Sequence, residues 1–355
     1  MLGAGGVLGG AWLVGALQAI AAETGWDPGS AEYIVGTSAG AMVGALLASG
    51  VPPWFMVAHS AGESFPGLRD AQGEEAAEAD RSAGATFRID RSGFALGPGS
   101  WRLALASAQH PFRYTPLAVL SGWLPRGIIS TEPLKDTVRR ACSDDWVPHP
   151  NYWAMAVDYA TGRRVAFGRR GAPAARLPDA VAASCAIPGF YRCVEIGGRA
   201  YVDGGVRSPS NLDVLRDEPL DLVLALNPMS SRDPATPRGW RDRLAWQMRR
   251  SVGRRLGAEA KRLRARGIEV LLLQPTGPDL AVMRGNLMSG RRRHETIETA
   301  IETTTGQLRE SGIGRRLAAL GPGHPHLVRR PAGPPSSWPD FRELARARWG
   351  TREAA

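Results

Sequence analysis

Lysine is almost absent from this 355-residue chain: Lys135 and Lys261 are the only two, so 42 of the 44 cations are arginine. That bias is compositional and assigns no function by itself. Cysteine is scarce too. Cys142, Cys185 and Cys193 are odd in number and lack a C-x-x-C pairing, which argues against a disulfide framework or a structural zinc site and fits a reducing, cytoplasmic compartment. No charged residue precedes Glu23, so the opening stretch superficially resembles a signal peptide or a membrane span. A basic leading region is missing, however, and Gly3, Gly5, Gly6, Gly9 and Gly10 interrupt the apolar run, which argues against both.

Charge is concentrated. The net balance is +10, and ten cations between Arg241 and Arg266 face only Asp242 and Glu259, so one segment carries nearly the whole surplus. The rest is close to neutral, which disfavours a surface that coats nucleic acid. A hydrophobic fraction of 43% is enough for a substantial core, while 43 glycines and 27 prolines without a three-residue period indicate many turns and not a fibre.

Apolar periodicity organises the chain. A glycine loop leads into a helix over Ala11 to Ala22, a β-type run follows at Tyr33-Ile34-Val35, and a small-residue helix occupies Ala41 to Ala48. Residues 52–125 are irregular, with an acidic patch at Glu74, Glu75, Glu78 and Asp80, and read as a lid or insertion. Strand patterns resume at Trp153 to Val157 and Arg164 to Phe167 as a hairpin, then at Tyr191 to Ile196, Ala200 to Val202, Leu222 to Leu226 and Ile268 to Leu273, with a helix at Pro178 to Cys185. Strands alternating with helices predict an α/β sandwich with a mixed central sheet.

Across residues 240–266, Leu244, Met248, Val252, Leu256, Ala260 and Leu263 recur every three or four positions. This is an amphipathic helix with an arginine-rich outer face, expected to be an ordinary solvated surface, with peripheral membrane contact as the second reading. One domain is expected over residues 1–320, followed by a Pro/Arg-rich tail over 321–355. Nothing in the sequence fixes an oligomeric state.

Three short elements carry chemistry. Gly36-Thr37-Ser38-Ala39-Gly40 matches G-x-S-x-G, whose small residues let a sharp strand-to-helix turn project a serine oxygen. About 0.3 such matches are expected by chance at this composition, so its position between a β-type run and an apolar helix is what gives it weight. The run Gly3 to Gly9 precedes a helix and suits a phosphate or an oxyanion. Leu8 breaks the dinucleotide fingerprint, and only Met1-Leu2 remains of any preceding strand. The third element is Tyr201-Val202-Asp203-Gly204-Gly205, an acid at a strand end before two flexible residues. His294, His324 and His326 are the available histidine partners for Ser38, none in a distinctive setting.

The order of glycine loop, G-x-S-x-G and Asp-Gly-Gly resembles the patatin-like phospholipase family of lipid acyl hydrolases. The resemblance extends to Ala183-Ser184-Cys185-Ala186-Ile187-Pro188 before the aspartate and to Ser208-Pro209-Ser210-Asn211 after it, and covers roughly residues 1–228. It implies a three-layer α/β/α sandwich, a Ser38–Asp203 dyad, an oxyanion hole from the amides of Gly5, Gly6 and Val7, a lipid ester substrate, and no metal or other cofactor. Two departures accompany it: Ala4 replaces a glycine of the family's loop, and Leu8 replaces its basic residue. They suggest the alternative of a catalytically silent lipid- or partner-binding member.

Overall fold

The computed structural model describes residues 1–61, 70–73, 87–90, 97–110, 114–142, 144–231, 239–284 and 287–323. The acidic patch at Glu74 to Asp80, His324, His326 and the Pro331–Pro339 stretch lie outside the described residues.

Seven strands are described: β1 (Ile34–Thr37), β2 (Tyr152–Asp158), β3 (Arg164–Phe167), β4 (Val194–Ile196), β5 (Arg199–Asp203), β6 (Leu222–Leu226) and β7 (Glu269–Leu273). The helices are α1 (Gly6–Thr24), α2 (Ala39–Ala48), α3 (Pro53–Ser60), α4 (Trp101–Gln109), α5 (Pro116–Trp123), α6 (Glu132–Ala141), α7 (Leu177–Cys185), α8 (Trp240–Arg264), α9 (Gly277–Val282), α10 (Arg293–Glu310) and α11 (Gly312–Ala318). Parallel pairs β1–β2 and β6–β7 coexist with antiparallel pairs β2–β3, β2–β5 and β4–β5, so the sheet is mixed.

The first three residues join the two parts of this sheet. Leu2 bridges Gly36 of β1 on one side and Leu226 of β6 on the other. Its amide donates to the Val35 carbonyl, its carbonyl accepts from Thr37, and the neighbouring Gly3 amide donates to Leu226. The short Met1-Leu2 segment therefore sits in the sheet interior and is not a weakened edge.

Side-chain alternation sorts the layers. Ile34, Tyr152, Ala154 and Ala156 face a core built with α1, α2, α7 and α10, whereas Val35, Trp153, Met155, Val223, Ala225 and Val270 face Leu256, Ala260 and Leu263 of α8. Successive strand residues point to opposite faces, so one strand serves both cores. No element is legible in the sequence between residue 273 and the tail, yet α10 packs tightly on α1. A Cβ at Gly15 would lie 2.4 Å from the Ile297 carbonyl oxygen, so this crossing requires glycine. Helix α1 is long and apolar enough to cross a membrane, and Leu8, Trp12, Leu13, Leu17 and Ile20 are buried in the protein core.

Candidate active site

Sheet topology brings the two ends of the proposed dyad together. Strand β3 occupies one edge of β2 over residues 154–157. On the other edge β1 pairs with residues 152–155 and β5 with residues 156–158, and the two run in opposite directions. Their C-terminal ends meet where Met155 pairs with Thr37 and Ala156 pairs with Asp203. Ser38, the next residue after β1, thus arrives beside Asp203.

Ser38 has φ 54° and ψ −122°. A positive φ at a non-glycine residue costs on the order of 1–3 kcal/mol and persists only where its surroundings enforce it. Here the surroundings do so in two ways. The Ser38 amide donates to Ser184 Oγ at 2.9 Å, and Ser184 in turn donates to the Met155 carbonyl at 2.6 Å, pinning the elbow to β2. The flanking glycines provide room: a Cβ at Gly36 would lie 2.3 Å from the Gly40 carbonyl, and one at Gly40 would lie 2.2 Å from the Leu2 carbonyl.

The Ser38 hydroxyl lies close enough to the Asp203 carboxylate to favour its charged form, and Asp203 Oδ1 accepts the Gly205 amide at 2.6 Å. Asp203 is only 4% exposed. Desolvation outweighs the opposing influence of Ser38 and the Gly205 amide and raises its pKa from 3.8 to about 6. A buried carboxylate with this pKa remains about nine-tenths ionised at neutral pH and is a better base than a solvated one. Gly204 is required for the turn, since a Cβ there would meet the Met155 carbonyl at 2.3 Å.

The glycine loop lies beside the elbow. Gly6 has φ +62°, and a Cβ there would lie 2.9 Å from Met288 Sδ; at Gly5 it would lie 2.6 Å from Gly9 Cα and 2.7 Å from Pro228. Among the described residues no acceptor outside the helix takes the Gly5, Gly6 or Val7 amides, which belong to the start of α1, where intrahelical partners are lacking. The N-terminus of α2 also follows Ser38 directly, so two helix dipoles favour negative charge in this region. The two departures from the family pattern leave this backbone intact. Ala4 keeps its amide bonded to the Pro209 carbonyl at 2.9 Å, and the Leu8 side chain is 1% exposed within the core.

Other side chains hold the site without having been assigned a role from sequence. Asn211, itself at φ 48°, donates through Nδ2 to Thr37 Oγ1 and the Gly204 carbonyl, linking the last residue of β1 to the turn after Asp203. Glu259 is 2% exposed and accepts from Ser208 Oγ (2.7 Å), Ser210 Oγ (2.6 Å) and the Leu212 amide (2.9 Å). Arg249 donates to the Pro228 carbonyl at 2.8 Å, and Pro228 packs on Gly5 and Gly9; burial lowers its pKa to about 10. Both Glu259 and Arg249 belong to the basic helix α8, which is therefore a support for the site.

That finding changes the picture of α8 as a solvated face. Val252, Leu256, Ala260 and Leu263 of the apolar stripe are buried, while Met248 is half exposed. Of the arginines on this helix, Arg250 and Arg254 are exposed, Arg249 is turned inward, and Arg255 pairs with Glu259 at 3.2 Å. Arg250 also stacks over Trp246 at 5.1 Å. His294 pairs with Glu298 on the surface of α10. Among the described residues no group of three His, Cys, Asp or Glu side chains gathers to hold a metal.

Sheet, elbow and glycine loop define an α/β protein of the patatin type. The family model described as "Patatin-like phospholipase" matches residues 1–216, well over half of the chain, and the chain belongs to that family. Similar proteins include uncharacterized NTE family proteins of Mycobacterium bovis and of two strains of Mycobacterium tuberculosis, each 30% identical over 128 residues. These matches cover 33% of this chain and 34% of the relative, so the chain spans about a third of the length of the curated relatives it matches.

Proposed function

We propose that the chain is a serine hydrolase of lipid carboxylic esters, with Ser38 as nucleophile and Asp203 as its base. The observation that carries this reading is a strained, buried Ser38 brought beside a desolvated Asp203 by the pairing of β1 and β5 along one edge of β2. As Ser38 Oγ attacks the ester carbonyl, its proton passes to Asp203 and the carbonyl oxygen acquires negative charge. The amides of Gly5, Gly6 and Val7 receive that oxyanion. Collapse expels the alcohol, which takes the proton from Asp203, and leaves an acyl-Ser38 ester. Water then attacks this ester, giving up a proton to Asp203, and releases the fatty acid with Ser38 restored.

Neither departure in the glycine loop removes a donor from this scheme, because the hole is made of backbone amides. Loss of the family's basic residue at Leu8 removes a charge from the loop. The silent-protein alternative predicts a folded chain with no turnover. Fatty-acid release from a panel of mixed-chain lipids, measured with wild type and Ser38→Ala, separates the two readings: release by wild type alone supports hydrolysis, and equal release or none from both rejects it.

A further inference from the structure

Nine large apolar side chains are exposed among the described residues, and seven belong to one stretch: Phe87, Ile89, Trp101, Leu105, Leu117, Leu120 and Trp123. The last five lie on α4 and α5, which pack against each other through Leu103 and Gly122. Trp101 and Leu105 are one turn apart on α4, opposite buried Leu103, Ala104 and Ser107. Leu117, Leu120 and Trp123 follow helical spacing on α5, opposite buried Ala118, Ser121 and Gly122. Each helix is thus apolar on the face it buries and on the face it presents. A helix apolar all round is ordinarily enclosed, and these two are enclosed on one side only.

Charge indicates the medium that covers the other side. Between Asp90 and Glu132 the sequence has no acidic residue, while Arg91, Arg102, Arg113 and Arg126 are spaced along it. Arg102 is exposed on α4 itself, and Arg126, shortly after α5, is exposed at a pocket that also holds Asp90, Glu132 and Glu195. Exposed tryptophan and leucine on two helices that carry Arg102 and no acid match the headgroup boundary of an anionic bilayer, where aromatic rings enter the interface and guanidinium groups meet phosphate.

The helix pair is also joined to the site. Thr115, which caps α5, donates to the Val206 carbonyl at 2.9 Å, and Leu103 and Ala118 share a buried cluster with Val202 and Val206 on either side of Asp203. We propose that α4 and α5 form the surface by which the protein docks on anionic lipid, seating the turn that carries Asp203 next to the bilayer that holds its substrate. This inference rests on the hydrolase reading for its purpose and places the lipid contact on α4–α5, away from the basic helix α8.

The test uses the full chain with Trp101, Leu105, Leu120 and Trp123 all changed to serine. Co-sedimentation with vesicles of phosphatidylcholine and phosphatidylglycerol should fall on the order of 10²-fold, while turnover of a soluble short-chain ester is retained, showing that the fold and site persist. Arg102→Gln with Arg126→Gln should weaken binding to these vesicles roughly tenfold and leave binding to pure phosphatidylcholine unchanged. Should the fourfold variant fail to fold, Trp101→Ser and Trp123→Ser singly are each expected to lower binding severalfold. Unchanged vesicle binding in the folded variants overturns the proposal. So does a wild-type dimer that the serine changes dissociate, because a second copy would then cover this face. Wild-type binding is measured alongside fatty-acid release, so a wild type that docks but hydrolyses nothing refutes the hydrolase reading and leaves the docking surface standing.

Discussion

Replacing Asp203 by asparagine should move activity and stability in opposite directions, with the same pH dependence. Burial raises the Asp203 pKa from 3.8 to about 6 in the folded protein. A native-state pKa above the unfolded value means that the folded protein holds the proton more tightly. The wild type therefore loses stability as pH rises from about 4 to about 6, by about 3 kcal/mol at 1.36 kcal/mol per unit. Asparagine carries no charge to desolvate. In chemical denaturation, the stability of Asp203→Asn relative to wild type should rise by about 3 kcal/mol between pH 3 and pH 7, other titrations cancelling in the difference. Over the same interval kcat/KM of the wild type on a soluble ester should climb toward a plateau, falling about tenfold per unit below pH 6 as the base becomes protonated. The variant should lose on the order of 10² to 10⁴ in rate, because an amide cannot accept the serine proton. A stability difference independent of pH, together with a flat rate profile from pH 5 to 8, would refute the assignment of Asp203 as a desolvated base.

The supports of the site give further expectations. Asn211→Ala should lower kcat more than it raises KM, since it frees Thr37 from the Gly204 turn without touching substrate; steady-state kinetics on a soluble ester provide the check. Glu259→Ala leaves two serine hydroxyls and the Leu212 amide without their buried acceptor. At 1–3 kcal/mol for each orphaned group it should destabilise the protein by about 3 kcal/mol or more, seen as a lowered denaturation midpoint. Among the arginines of α8, Arg249→Glu should lower the melting temperature and ester turnover together, whereas Arg250→Glu with Arg254→Glu should leave both nearly unchanged.

The elements nearest the chemistry were legible because their sequences obey local rules. The run Tyr33 to Val35 before Gly36-Thr37-Ser38-Ala39-Gly40 reads as strand, elbow and helix, and the structure has β1, Ser38 at positive φ, and α2. Leu222 to Leu226 was legible to the residue, as an apolar run bounded by turns. By contrast, the expected strand from Tyr191 is present only from Val194, because Tyr191 is held by the turn after Pro188, its amide donating to the Ile187 carbonyl. Helix α10 was missed since much of its buried face is Thr296, Ala300, Thr304 and Gln307, polar or small residues that give little apolar signal. The meeting of Ser38 and Asp203 depends on β1 and β5 sharing an edge of β2, a long-range pairing that no local pattern encodes. Arg249 and Glu259 were hidden for another reason: in a helix with nine cations, one inward arginine and one buried acid look like ordinary members of a charged surface.

The central claim, that Ser38 is the nucleophile activated by Asp203, is tested most directly by mapping a fluorophosphonate adduct on the intact protein by mass spectrometry. The adduct should fall on the peptide containing Ser38 in the wild type, form far more slowly in Asp203→Asn, and be absent from Ser38→Ala. An adduct on a different residue, or fatty-acid release that persists in Ser38→Ala, would contradict it.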